Sequence, residues 1–172
     1  MKNVLLFLAF FLIITIVVVV HISLSYFLVS PFSKINAIFI FLILFIFWKE
    51  SGWVVWISFM AHFFVELFSL MPFGILLVSS TISILITYWL YTEVFTNHSW
   101  YAGSLLCASS LVIFRSLYAL ILFLSTFFVK VDITWGDLFV TFFTEILFTT
   151  ITFIVIYFFF YYLLKKLILR VV

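Results

Sequence analysis

Val4 to Val20 reads VLLFLAFFLIITIVVVV, seventeen residues inside a charge-free stretch that runs from Asn3 to Ser33. Its apolar side chains point in every direction of a helical projection. A barrel strand would alternate apolar with polar residues, and neither this run nor Phe158 to Tyr162 does so. About 20 helical residues span a hydrocarbon core of about 30 Å, so the stretch predicts a membrane-crossing helix. Lys2 precedes it, and Ser23-Leu24-Ser25 offers a small-x-small pattern of the kind that follows a signal peptide. A signal core is only about 7 to 15 residues long. The helix is therefore expected to stay attached.

The rest of the chain has the same character. Of 172 residues, 69% are hydrophobic and 8% are charged, with a mean hydropathy of +1.49. A soluble domain carries about 25% charged residues to cover its wetted surface. Six spans joined by short loops would use about 150 residues. The expectation is an all-α membrane protein, a six-transmembrane-helix bundle forming one polytopic domain over residues 1–172. The spans fall near residues 4–28, 35–48, 53–70, 75–91, 101–129 and 138–164. They are separated by Ser30-Pro31-Phe32-Ser33-Lys34, Lys49-Glu50-Ser51-Gly52, Met71-Pro72-Phe73-Gly74, a polar loop from Thr92 to Trp100 containing Asn97 and His98, and Lys130 to Asp137. Lys34 and Lys49 bracket the short second span and can snorkel to lengthen it.

Orientation follows the distribution of basic residues. With the N-terminus inside, Lys2, Lys49, Lys165, Lys166 and Arg170 lie on the inner side, and Lys34 and Lys130 on the outer side. Both termini are thus expected in the cytoplasm, and the protein in the cytoplasmic membrane.

Composition also excludes functions. A net charge of +2 with scattered basic residues gives no surface for nucleic acid, and the single Cys107 can form no internal disulfide. No Gly-rich phosphate loop, Gly-x-Ser-x-Gly elbow or His-Glu-x-x-His motif occurs. No catalytic residue, cofactor or metal is expected.

Polar residues inside the spans are costly and usually face the bundle interior. Taking 100° per residue, Ser51, Ser58, His62, Glu66 and Ser69 share one face of span three. Ser80, Ser83, Thr87 and Tyr91 do so in span four, Gly103, Cys107 and Ser110 in span five, and Thr141, Glu145, Thr149 and Thr152 in span six. Such stripes serve either as a path for protons or a solute, or as hydrogen-bonding glue between helices. Arg115 lies near the middle of span five and needs a carboxylate, either Glu145 or Glu66. His62 and Glu66, one turn apart, suit a helix-stabilising hydrogen bond or an acid–base relay, but too few ligands accompany them for zinc. His62, Glu66, Arg115 and Glu145 form the candidate intramembrane cluster.

Two segments carry a resemblance to a known family. Glu66-Leu67-Phe68-Ser69-Leu70-Met71-Pro72-Phe73-Gly74 has an acid, a serine, then Pro-x-Gly at the end of a helix, and Val94-Phe95-Thr96-Asn97-His98-Ser99 is a short polar loop. Together with size, six spans and a terminal basic cluster, they resemble the rod-shape-determining protein MreD over about residues 35–170. Glu66, Ser69, Pro72 and Gly74 are the matching positions. The chain departs from the family in having Glu66 where Asp is usual, and Glu93 in a loop that is usually Arg-rich. The resemblance implies a non-enzymatic membrane scaffold of the bacterial cell-elongation and peptidoglycan-synthesis machinery, in the lipid bilayer beside an MreC-like single-span partner. The rival from the residues themselves is a six-helix substrate-binding subunit of a small-solute or vitamin importer, whose pocket the polar stripes would line. A membrane enzyme acting on a lipid-linked substrate ranks behind both, for want of a nucleophile or metal set.

Overall fold

The computed structural model describes residues 2–69, 71–95, 99–127 and 134–171. These are helical with no strand among them: α1 (Lys2–Phe27), a 3-10 turn η1 (Phe32–Lys34), α2 (Ala37–Lys49), α3 (Trp53–Glu66), α4 (Ile75–Glu93), α5 (Trp100–Ser125) and α6 (Trp135–Val171). Stretches of α1, α4, α5 and α6 are long and apolar enough to cross a membrane. At 13 and 14 residues, α2 and α3 rise only about 20 Å each.

Each helix stops and starts for a local reason. The Asn36 side chain accepts a hydrogen bond from the Phe39 amide and caps α2. Glu50 ends α2 in the left-handed region, at φ 47°. Gly74, at φ 101°, turns the chain into α4, a conformation that glycine adopts without steric cost. The Ser99 side chain caps α5 by accepting from the Ala102 amide. Third-span residues were expected to continue to position 70, but α3 ends at Glu66, whose side chain is used to build the following turn. Leu70 and Phe128 to Ile133 lie outside the described residues. α6 starts earlier than expected, at Trp135, with Asp137 in its first turn, where the helix dipole favours an anion. It also runs past residue 164 to Val171, since no Pro or Gly follows Gly136.

A helix that is apolar all round belongs inside, and AIFIFLILFIFWK of α2 is the innermost element. Ile38, Phe39, Ile40, Leu42, Ile43 and Ile46 are all buried. α2 packs on α1, α3, α5 and α6. Around it α1 lies against α3, α3 against α4, α4 against α5, and α5 against α6, while η1 touches both α1 and α6. The outer faces of α1 and α6 are apolar and exposed, with residues such as Leu12, Ile16, Phe143 and Val155. Lipid tails are as apolar as leucine, so burying such side chains drives little helix association in a bilayer. Close packing and polar cross-links carry more of the weight.

Of the four glycines, Gly103 on α5 has the tightest surroundings. A Cβ there would lie 2.9 Å from the ring of Phe153 on α6 and 3.2 Å from that of Phe47 on α2. Phe153 is fully buried and has little room to retreat. Gly103→Val is expected to destabilise the bundle by about 1–3 kcal/mol through overpacking. Gly136→Val, where a Cβ meets nothing within 4 Å, should cost much less. Unfolding of both variants in detergent micelles checks the difference.

Candidate functional site

Arg115 is ten residues from the C-terminal end of α5, and Glu145 is ten residues into α6. Two antiparallel neighbours place these positions at one level, about 15 Å in from that end of the bundle. The structure joins them: Nε and Nη2 of Arg115 both donate to Oε2 of Glu145. The guanidinium also lies over the rings of Phe114 and Tyr118, at 5.3 and 5.5 Å, where the ring faces attract a cation.

The other carboxylate oxygen has a separate partner. Asn36 Nδ2 donates to Glu145 Oε1 at 2.8 Å, and the Asn36 amide donates to Thr149 Oγ1, one turn along α6, at 2.9 Å. Asn36 is also the cap of α2, so the start of α2 is tied to α6 through two side chains. The positive end of the α2 dipole faces the Glu145 carboxylate, a further stabilisation. Glu145 is 3% exposed and Arg115 22%.

Glu66, the other carboxylate in the candidate cluster, is used elsewhere. Its Oε1 accepts from the amides of Gly74 and Leu76 at 2.7 and 3.1 Å, and its Oε2 from that of Leu77 at 3.2 Å. The last residue of α3 thus caps α4, placing a negative charge on the N-terminal end of that helix. Ser69 Oγ accepts from the Met71 amide within the same turn. The acid, the serine and the glycine of the family-like segment therefore have structural jobs. Pro72 lies between them, and Leu70 is outside the described residues.

His62 does not meet Glu66. Its Nδ1 lies 2.9 Å from the Ser58 carbonyl, one turn back, and a carbonyl only accepts, so Nδ1 carries the hydrogen. Phe39 and Phe114 pack against its ring. The relay between His62 and Glu66 is therefore not assembled. The other polar stripes face inward: Ser80, Ser83, Thr87, Tyr91, Gly103, Cys107, Ser110 and Thr149 are buried. The serine and threonine hydroxyls of α4 go to carbonyls. Ser83 Oγ donates across to Ser110 O on α5, whereas Ser80 and Thr87 bond back to α4 itself.

Next to the Arg115–Glu145 pair is a cavity of about 270 Å³. His21 and Ser25 of α1, Ser33 and Lys34 of η1, Asn36, His62, Arg115, Thr141 and Glu145 contribute its polar wall. Val65, Leu76, Phe114 and Tyr118 add apolar surface, and Glu66 is not part of it. The cavity has a simple cause. α2 is about 20 Å long and begins at the level of Glu145, and η1 lines the space beyond its end. Sequence reasoning singled out His62, Arg115 and Glu145 but missed Asn36 and the cavity roles of His21 and Lys34. One signal was available for Asn36, a capping residue type directly before an apolar run. His98, Asn97, Lys130 and Asp132 lie outside the described residues.

Among the described residues no three His, Cys, Asp or Glu side chains gather to hold a metal ion. No protein-family model, curated protein or solved structure matches the chain.

Arg115→Leu is expected to destabilise the bundle by about 3–5 kcal/mol, because it leaves Glu145 charged, buried and half-partnered. Adding Glu145→Gln should restore part of the loss, since glutamine can still accept from Asn36. A double-mutant cycle from unfolding in mixed micelles measures the coupling. At the other carboxylate, Glu66→Ala strands three amides and should cost more than Glu66→Gln, which keeps one acceptor oxygen. The excess is about 1 kcal/mol or more, read in the same assay.

Proposed function

We propose that the chain is a non-enzymatic six-span scaffold of the MreD kind. Both termini lie in the cytoplasm, and it works in the cell membrane with an MreC-like single-span partner and the wall-synthesis complex. The observation that carries this reading is the state of the interior charges. Glu145 has one oxygen on Asn36 and the other on Arg115, and Glu66 has both oxygens on backbone amides. Charges satisfied by the protein itself suit a rigid body that presents surfaces to partners. The Glu66–Gly74 turn, which carries the resemblance, builds such a body. The exposed apolar faces of α1 and α6 are available to a partner helix.

The two short helices are compatible with six spans. α2 is enclosed by other helices, and irregular backbone at membrane depth is tolerated where protein buries it or where it lines a watery cavity. The chain that leads into α2 meets that condition, since Ser33 to Asn36 line the cavity.

One observation favours the rival, an importer subunit that binds a small solute: the cavity itself. Its size speaks against a vitamin, because sites for drug-sized ligands measure about 300–1,000 Å³.

Crosslinking in native membranes, followed by identification of the attached proteins, separates the readings. Recovery of a single-span partner and wall synthases is expected, whereas an ATPase module would overturn the scaffold. Topology has its own test. Cys107 is fully buried, so a membrane-impermeant thiol reagent has little background. In intact cells it should modify Lys34→Cys and spare Glu93→Cys; the reverse pattern would invert the orientation.

A further inference from the structure

The cavity beyond the end of α2 has an unbalanced set of charges. Glu145 is the one carboxylate on its described wall, and both of its oxygens are engaged, by Asn36 and by Arg115. Arg115 already offsets its charge, which leaves little net attraction for a cationic guest. Lys34 lines the same cavity and has no carboxylate partner among the described residues. The positive end of the α2 dipole opens there too. His21, which also lines the cavity, has a buried Nδ1 without a hydrogen-bond partner among the described residues. With Arg115 and Glu145 cancelling, the excess among the described residues is one positive charge.

We propose that this cavity is a binding site for a small soluble anion bearing a carboxylate or phosphate group. Lys34 supplies the countercharge. Exposed Ser25 and half-buried Lys34 mark the mouth, and the Arg115–Glu145 pair lies further in. About 270 Å³ holds an anion of a few heavy atoms with some of its water, at about 30 Å³ per water.

The same groups fit a lipid headgroup poorly. A second, apolar groove of about 190 Å³ shares Arg115 and Tyr118 with the cavity and runs along α5 and α6 to Trp135. It leads from the level of Arg115 back toward the helix ends, because Trp135 is the first residue of α6. A lipid with its headgroup at Arg115 would have to send its tail toward water.

The test uses the full chain in nanodiscs of phosphatidylcholine, titrated by calorimetry with inorganic phosphate and, separately, with acetate. Saturable one-site binding of either anion is expected. Lys34→Gln should weaken it about tenfold or more, the scale of one charge-assisted hydrogen bond, while Lys34→Arg should retain it. Lys34 is half-buried and has no ion pair among the described residues, and an unchanged melting temperature for Lys34→Gln would confirm that the fold is intact. The proposal is overturned if neither anion binds, if Lys34→Gln binds as tightly as the parent, or if phosphatidylglycerol in the nanodisc binds in place of the free anions. None of these outcomes bears on which proteins crosslink to the bundle, so failure here leaves the scaffold reading untouched.

Discussion

A carboxylate at membrane depth must be satisfied by the protein around it, and the bundle is arranged about that requirement at Glu145. Its two oxygens take partners from two other helices: Arg115 from α5, and Asn36 from the start of α2. One side chain on α6 thereby fixes the relative height of three helices. Asn36 then does two further things, capping α2 and bonding Thr149. Apolar contacts alone could not set this register, because a bilayer offers each leucine or phenylalanine an equally apolar alternative. Polar groups have no such alternative in lipid. Their pairing therefore determines which sliding position of α2 is the stable one.

That position has consequences at both ends of α2. At its C-terminal end the packing is dense. Phe47 meets Tyr91 and approaches Gly103, and the Phe153 ring fills the same space. At its N-terminal end the helix stops short, and η1 covers what is left. A 13-residue helix cannot fill the length of neighbours with 26 residues or more. The cavity is the difference between those lengths, walled by the polar groups that hold α2 in place.

Much of this arrangement was legible in the sequence, for reasons specific to each residue. Helix order followed from apolar runs and their Pro, Gly and Ser interruptions. The inward faces of α4 and α5 followed from 100° spacing, and Ser80, Ser83, Thr87, Cys107 and Ser110 are indeed buried. Arg115 announced its need for a carboxylate through the cost of an unpaired charge, though the sequence left Glu66 and Glu145 as equal choices. The choice depends on helix ends. Glu66 stands at the last residue of α3, within reach of the free amides that begin α4, and backbone amides leave no mark on residue type. His62 makes its hydrogen bond within α3, but to the Ser58 carbonyl one turn back and not to the Glu66 side chain one turn on. The cavity was illegible because it comes from a mismatch of helix lengths, settled only when six helices are set side by side.

The two ends of α2 also decide what the polar stripes can do. A path for protons or solutes would have to continue past the C-terminal end of α2. There the Phe47, Gly103 and Phe153 contacts leave no space for even a methyl group without displacement. Ser80, Ser83 and Thr87, which might have lined such a path, are bonded to carbonyls instead. The interior is thus closed on one side and hollow on the other, which suits occupancy better than conduction. A guest held beside Asn36 and Arg115 would press on the groups that set the height of α2. Through α2 it would reach α1, α3, α5 and α6, all of which pack on that helix. In a scaffold, this places a cavity next to the polar contacts that set the height of α2, and so next to the shape the bundle shows its partners.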